Sequence, residues 1–346
     1  MKALIIHNPV AGQHYPTDEL SQTTDFLASQ GWELLGVEHT HGTGDATTFA
    51  RRAVAQRCDA VFVAGGDGTL AQVVDGLVGS ETALGVLPGG TGNVFARQLN
   101  LPVPGGLHPR PMLEAARLLL AGQMRPVDVG RVSPQGKSGP ARHFLCWCGV
   151  GFDAQMAIAV EGDQERKKRL GSLTFLVAGL LTLRDFAGTR AQVRVDGNRV
   201  SRRMIMLVAN NIQRYGIIFK MAMTAVIDDG LFDIYCFQGR GAARTLLHTV
   251  RLLFSRHIQD PQVDIFRARR IEVSTAQPLP VHVDGDYIGY TPVVIETIPR
   301  AVKLMTPPTA PTSLFVDGHT MTAPETPWDW VTRMARDVES AFLGKE

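Results

Sequence analysis

The sequence predicts two domains: an α/β domain built on a doubly wound parallel sheet, then a β-rich antiparallel domain. Three observations carry this. Strand and helix signals alternate from the N-terminus to Leu87. Those strands are continuously apolar, as in a parallel sheet covered on both faces, rather than alternating. Past Arg125 the pattern changes to many short β segments. At 346 residues, 45% of them hydrophobic, the chain has material for two cores.

The elements follow in order. Lys2–His7 is an apolar strand ending at Asn8-Pro9. A helix is expected from Thr17 to Gln30, a strand at Trp32–Val37, and a helix at Asp45–Gln56 with Asp45 as its N-cap. Asp59–Ala64 is a third strand, followed by Gly65-Gly66-Asp67-Gly68-Thr69 and a helix from Leu70 to Leu77. Ala83–Leu87 is the next strand, and Pro88-Gly89-Gly90-Thr91-Gly92-Asn93 comes after it. In parallel sheets ligands bind at the carboxyl ends of strands, where both glycine loops fall.

In the second half, Pro126–Val132, Phe144–Cys148, Gln192–Val200, Met204–Val208, Phe232–Phe237, Ile265–Ser274 and Pro280–Val283 read as strands. Asp196-Gly197-Asn198 is a hairpin signal. Arg166–Arg184 and Ala242–Arg256 read as helices. Val302–Met305 is expected to return to the first domain, a linker-like Thr306–Thr312 follows, and Trp328–Leu343 reads as an amphipathic helix. The domain boundary is therefore set at residue 126, with 300–346 rejoining 1–126 and 127–299 forming the second domain.

Composition narrows the class. Lys and Arg total 35 against 33 Asp and Glu, a net charge of +2, which argues against a nucleic-acid binder. The four cysteines form no C-x-x-C pair, and a chain this long does not need disulfides, so a cytoplasmic protein is expected. The N-terminal apolar run is too short for a signal peptide. Leu173–Leu183 is too short to cross a bilayer. Preceded by Arg166-Lys167-Lys168-Arg169, that run reads either as a solvated helix face or as a peripheral contact with anionic lipid.

Several residues could carry chemistry. In Gly65–Thr69 the glycines let the backbone approach an anion, and the following helix start offers free N–H groups. Asp67 would repel a phosphate unless a cation lay between, which suggests magnesium. The bland alternative is a tight turn with Thr69 and Gln72 as a capping box. Gly89–Asn93 repeats the design, with a hydroxyl at Thr91, and Asn8–Gly12 adds a third loop, so the three outline a nucleotide-sized crevice. Asp284-Gly285-Asp286 reads either as a hairpin turn or as a general base. Asp228-Asp229-Gly230-Leu231 reads either as a solvated loop or as a cation site. Cys146 and Cys148 alternate along a strand and read as packing.

GGDGTL at Gly65–Leu70, followed by LPGGTGNVFAR at Leu87–Arg97, resembles the diacylglycerol kinase catalytic-domain family of bacterial lipid kinases and sphingosine and ceramide kinases. Asn8-Pro9 with Gly12, Thr40 before Gly44-Asp45, Gly149–Ala154, Asn210 with Tyr215-Gly216, Ile227–Leu231 and Asp284–Asp286 extend the match to all but the C-terminal segment. GGDGT alone is shared with NAD kinases and phosphofructokinases; the ordered set is specific.

The resemblance implies an NAD kinase/phosphofructokinase-like first domain and ATP-dependent phosphorylation of a lipid hydroxyl in the interdomain cleft. By position it implies that Asn8, Thr40, Gly65, Gly66, Asp67, Gly68, Thr69, Gln72, Gly90, Thr91 and Asn93 hold ATP. Asp286 would take the hydroxyl proton, with Asp284 beside it and Asp67 also catalytic. A structural Mg²⁺ would bind the Asp229 side chain and the carbonyls of Val226 and Leu231. The lipid substrate implies transient membrane-surface contact and no nucleic acid, and leaves room for a homodimer. Val10 stands where the family often has Lys or Arg, Gln72 replaces Glu, Asp286 replaces the commoner Glu, and the Tyr-Gly-Gly-Gly run is reduced to Tyr215-Gly216-Ile217-Ile218. An NAD kinase-like enzyme and a nucleotide-binding regulator with weak catalysis stay open as alternatives.

Overall fold

The computed structural model describes residues 1–12, 18–135, 141–161, 188–217 and 219–318. The Arg166–Arg169 cluster, the Leu173–Leu183 run and the terminal segment at Trp328–Leu343 lie outside them. The chain divides into two compact units: Met1–Val129 with Gly216–Ile218 and the chain from Pro299, and Gly130–Tyr215 with Phe219–Ile298.

The first unit is built on a parallel sheet of β1 (Lys2–His7), β2 (Glu33–His39), β3 (Ala60–Gly65) and β4 (Ala83–Pro88) in the order β2-β1-β3-β4. Every residue of β3 and β4 is buried, which is why both read as unbroken apolar runs. Right-handed crossovers place α1 (Glu19–Ser29) on one face and α2 (Asp45–Ala55) and α3 (Asp67–Leu77) on the other. Gly76 lets α3 sit on α2, since a Cβ there would lie 2.6 Å from that of Ala50. On the other face α1 packs on α5 (Pro111–Leu120). Buried Glu19 fastens the pair by accepting the Met112 and Leu113 N–H groups at 2.6 and 3.3 Å. The strand order reverses between β1 and β3, so the switch point lies where their carboxyl-end loops emerge.

The second unit is antiparallel. β7 (Trp147–Gly151), β8 (Thr189–Val195), β9 (Asn198–Asn210), β14 (Arg270–Thr275), β15 (Pro280–Val283) and β16 (Asp286–Tyr290) run in the order β16-β15-β7-β9-β8-β14. The helix α6 (Phe152–Glu161) follows β7, β10 (Arg214–Tyr215) pairs with β11 (Phe219–Lys220), and β12 (Phe232–Gln238) pairs with both β9 and β13 (Val263–Ala268). Residues of β8 alternate strictly between buried and exposed, with Val193 inside and Arg194 outside. Phe144 stacks on Phe232 at 5.4 Å in the core, and a Cβ on Gly130 would strike the Phe144 ring. β5 (Gln123–Pro134) pairs with β6 (Arg142–Phe144). β17 (Val293–Thr306) begins beside β14 and ends beside β4, so the chain does return to the first unit's sheet at Lys303 and Leu304.

Four differences from the sequence reading have physical causes. α3 starts at Asp67 rather than Leu70, because Gly66 is extended and the chain passes straight from strand to helix. Asp45 is the first helical residue rather than the cap, and its carboxylate accepts the His41 and Gly42 N–H groups instead. Ile265–Ser274 is two strands, because the Asp196 carboxylate takes the Arg269 and Arg270 N–H groups and turns the chain to new partners. Phe144–Cys148 is likewise split, its N–H groups being drawn away by a carboxylate described below. The helices α4 (Val94–Gln98) and α5 had no counterpart in the sequence reading, although Pro111 at the first turn of α5 is a start signal.

Candidate active site

In the first unit the loops after β1, β2, β3 and β4 interlock. Asn8 donates through Nδ2 to Thr69 Oγ1 at 2.9 Å and turns its own loop by accepting the Val10 N–H at 3.1 Å. Gly44 N–H donates to Gln72 Oε1 at 2.8 Å. Thr69 and Gln72 therefore reach out to other loops and do not form a capping box. An amide oxygen does what a carboxylate would do at that position, so Gln72 keeps the tie without the charge. Thr40 is buried and bonded through its N–H to His7 O at 2.9 Å.

Glycine is required where these loops meet. A Cβ on Gly90 would lie 2.5 Å from the Gly66 Cα, and one on Gly12 would lie 2.0 Å from Gly89 O. Gly12 also adopts φ +71°, which side chains rarely take. Gly89 N–H donates to Gly65 O at 2.9 Å and closes the contact. Thr91 is exposed at the tip. Asn93 is buried in the left-handed region, where it ties Gly90 from both ends of its amide. No side-chain hydrogen bond caps the N-terminus of α3, whose first turn is Asp67, Gly68 and Thr69.

The Asp67 carboxylate accepts the Val94 N–H at 3.0 Å and the Phe95 N–H at 3.2 Å, so it holds the start of α4. Burial raises its pKa against the pull of those N–H groups and of Arg97. Sequence reasoning also passed over the histidines at the ends of β1 and β2. His7 and His39 meet through Nδ1 at 3.0 Å, and burial, helped by His39, lowers the His7 pKa to about 4.

In the second unit Asp284 and Gly285 form a two-residue hairpin between β15 and β16, with φ +49° and +97°. Two positive φ values mark the turn type that matches strand twist. The Asp284 carboxylate accepts three backbone N–H groups: Leu145 at 2.8 Å and Cys146 and Trp147 at 2.9 Å. This is the clamp that separates β6 from β7. Asp286 opens β16. Its side chain is 38% exposed, with Arg142 Nη2 at 3.7 Å.

Beneath the turn is a buried polar chain that sequence reasoning did not assemble. His282 Nε2 meets Asp153 Oδ2 at 2.6 Å, and Tyr215 donates its hydroxyl to Asp153 Oδ1. His282 Nδ1 accepts the Gly285 N–H at 3.1 Å. Burial disfavours charge on His282, but the neighbouring Asp153, Asp284 and Asp286 outweigh it and raise the pKa. Burial, reinforced by Asp153, pushes the Tyr215 hydroxyl well up. Gly149 makes room, since a Cβ there would fall 1.9 Å from Asp153 Oδ2 and 2.2 Å from His282 Nε2. The signal was present as Gly149 and Asp153 within one motif.

The acidic turn before β12 is differently disposed. Asp229 accepts the Leu231 N–H at 2.9 Å through one oxygen and pairs with Arg267 through the other. Arg267 also reaches Asp233 at 3.0 Å, and Val226 is buried. A Mg²⁺ bound by Asp229 and the carbonyls of Val226 and Leu231 would have to displace a guanidinium already in place, so the residues as arranged do not fit the ion. Among the described residues no group of three His, Cys, Asp or Glu side chains converges as a metal site. All four cysteines are buried and none forms a disulfide among the described residues. No described helix is long and apolar enough to cross a membrane.

The chain thus combines a doubly wound α/β unit carrying interlocked glycine loops at its switch point with an antiparallel β unit that follows it in the sequence. Residues 2–132 match the diacylglycerol kinase catalytic domain, and residues 147–306 match the YegS C-terminal NAD kinase beta sandwich-like domain. The first of these matches places residues 2–132 in the diacylglycerol kinase catalytic-domain family. It is similar to a diacylglycerol kinase of Bacillus subtilis strain 168, at 28% identity over 311 residues covering 88% of this chain and 96% of the relative. A Staphylococcus carnosus diacylglycerol kinase is 26% identical, with 88% and 95% covered. The crystal structure of a Bacillus anthracis Sterne diacylglycerol kinase superposes with a TM-score of 0.68 at 26% identity, covering 89% of this chain and 97% of that one.

Proposed function

We propose that the protein transfers the γ-phosphoryl group of Mg-ATP to the hydroxyl of a lipid of diacylglycerol or sphingoid type. The nucleotide's phosphates rest on the N–H groups of the first turn of α3 and on the Gly89–Asn93 loop, with Asn8, Thr40, Thr69 and Gln72 shaping the seat. Phosphoryl transfer asks mainly for positioning and charge neutralisation, which backbone donors supply without reorganising. Asp286 accepts the proton as the lipid oxygen attacks the γ-phosphorus, and ADP leaves. Asp67 acts on this site through the start of α4, and Asp284 acts by fixing the turn that presents Asp286.

The observation that carries the reading is the Gly66–Gly90 contact. It brings two anion-binding loops together at the carboxyl ends of neighbouring parallel strands. Buried cysteines without a disulfide among the described residues support a reducing, cytoplasmic setting. The family names of the relatives support a lipid acceptor.

The test is incubation with Mg-ATP and, separately, diacylglycerol, a sphingoid base and NAD. Phosphate is expected on a lipid. Phosphate on NAD alone would reject the proposal, and no turnover with intact ATP binding would turn it towards a regulatory nucleotide binder.

A further inference from the structure

The helix Ala242–Leu253, α7, is mounted with its apolar face outward. A surface helix ordinarily buries its apolar stripe and exposes its polar one. Here Thr245 and His248 are each 2% exposed, whereas Leu246, Leu247 and Val250 are 45%, 38% and 40% exposed. At 100° per residue these three fall within a 100° arc that also contains Ala243 and the position of Phe254, itself 58% exposed just past the helix.

The inversion is built in by polar bolts on the inner side. His248 Nε2 bonds Gln238 O at 2.9 Å, and its Nδ1 lies 3.1 Å from Asp260 Oδ2. Arg251 Nη1 reaches the same buried carboxylate at 2.5 Å. Rotating the helix to hide its leucines would tear out an ion-paired network with no exposed carboxylate surface. The outward stripe is therefore the stable arrangement. A contiguous exposed apolar face marks a binding surface, unlike leucines exposed singly.

Charge indicates the occupant. Between Asp233 and Asp260 the sequence holds Arg240, Arg244, Arg251 and Arg256 and no acidic residue. Arg240 and Arg256 are exposed, one before the helix and one after it. An apolar stripe flanked by arginines and bare of carboxylates suits the headgroup boundary of an anionic bilayer. At 12 residues α7 would lie in that plane and could not span it. We propose that this face of α7 docks the protein on anionic lipid bilayers. The choice of a bilayer over a protein partner rests on the lipid-kinase reading, in which the acceptor resides in the membrane.

The test is co-sedimentation of the full chain with phosphatidylcholine vesicles, with and without phosphatidylglycerol, in the absence of ATP. The wild type should bind the anionic vesicles. The Leu246→Ser/Val250→Ser variant changes two exposed positions and should keep its melting temperature while losing roughly tenfold in binding. Arg240→Gln/Arg256→Gln should weaken binding to anionic vesicles alone, most at low salt. Leu107→Ser, at an exposed leucine of the first unit, should change nothing.

Equal sedimentation of wild type and the Leu246→Ser/Val250→Ser variant would overturn the proposal. So would a wild-type dimer that the same variant turns into monomers with vesicle binding unaltered, because the stripe would then belong to a second copy. Phosphorylation of a soluble short-chain diacylglycerol should be unaffected by the variant. If no lipid is phosphorylated by any form, the kinase reading fails while the sedimentation result still stands for the surface.

Discussion

Asp67 in the first unit and Asp286 in the second both stand beside a glycine at a turn, yet the structure uses them differently. Asp67 spends both carboxylate oxygens on the N–H groups that open α4. Asp284, two residues from Asp286, spends its carboxylate on three more. Asp286 faces Arg142 across 3.7 Å and keeps 38% of its side chain exposed. An aspartate beside a glycine in a sequence is thus one of two different objects. One is a backbone clamp whose lone pairs are committed, and the other is a carboxylate able to accept a proton. In the proposed function the second is the general base and the first serves by holding loops still.

The sharpest way to break this contrast is to remove the charge from each acid in turn. Asp286→Asn should lower turnover on a lipid acceptor by about 10²–10⁴-fold while the melting temperature holds, because its ion pair is long and partly exposed. Steady-state rates and a thermal melt on the same preparation check both halves. Turnover within a few-fold of wild type would remove Asp286 from the proton-acceptor role.

Asp67→Asn should lower turnover by about 10²-fold through misplaced loops and change stability by under about 1 kcal/mol. The reason lies in its titration. Burial raises the folded-state pKa above the ordinary 3.8, so the stability tied to this group is fully present below that value. It is lost as pH rises through the folded pKa. The amide keeps one acceptor oxygen for two N–H groups, and that loss is offset by no longer burying a charge.

Asp284→Ala should act in the opposite sense, on the fold before the chemistry. Three N–H groups would lose a charged acceptor, at a cost of about 3 kcal/mol. The left-handed φ of +49° would add strain for alanine. Urea unfolding of the purified variant measures this. A loss below about 1 kcal/mol would show that the clamp contributes little and that Asp284 and Asp286 are more alike than their geometry suggests.

How much of this was legible in the sequence follows from the range of each interaction. The parallel sheet could be read because β3 and β4 are buried along their whole length and so uniformly apolar. The hairpin at Asp284-Gly285 could be read because the turn chemistry is local. The two glycine loops could be seen, and the resemblance tied them to one site. The Asp284 clamp was out of reach, since its donors lie 137 to 139 residues away. The periodicity of α7 was plain, but which face it buries depends on Gln238 and Asp260, and no moment calculated along a helix contains that. The Asp229 turn shows the limit from the other side. Its local pattern suits a cation, and the guanidinium that occupies it arrives from Arg267, 38 residues on.

The smallest expected effect concerns the base of the Asp286 turn. His282 accepts the Gly285 N–H on Nδ1, so in its neutral form the ring proton sits on Nε2 and is donated to Asp153. Protonation puts a second hydrogen on Nδ1, facing the Gly285 N–H, while strengthening the pairing with Asp153. Burial opposes that charge, but Asp153, Asp284 and Asp286 prevail and the pKa is raised above 6.5. For a base with a raised folded-state pKa, the stabilisation is fully present below the unfolded value and is lost as pH rises through the folded one. The wild type should therefore lose about 2 °C of melting temperature on passing upward from pH 6.5 through that value. His282→Asn, which keeps an acceptor for Gly285, should lack this component. Gly149→Ala, whose methyl would fall 2.2 Å from His282 Nε2, should suppress it by wedging the pair apart. Parallel melting curves for the wild type and His282→Asn across this range would show that the buried chain of Tyr215, Asp153 and His282 carries no titrating charge, leaving the Asp286 turn held by the Asp284 clamp.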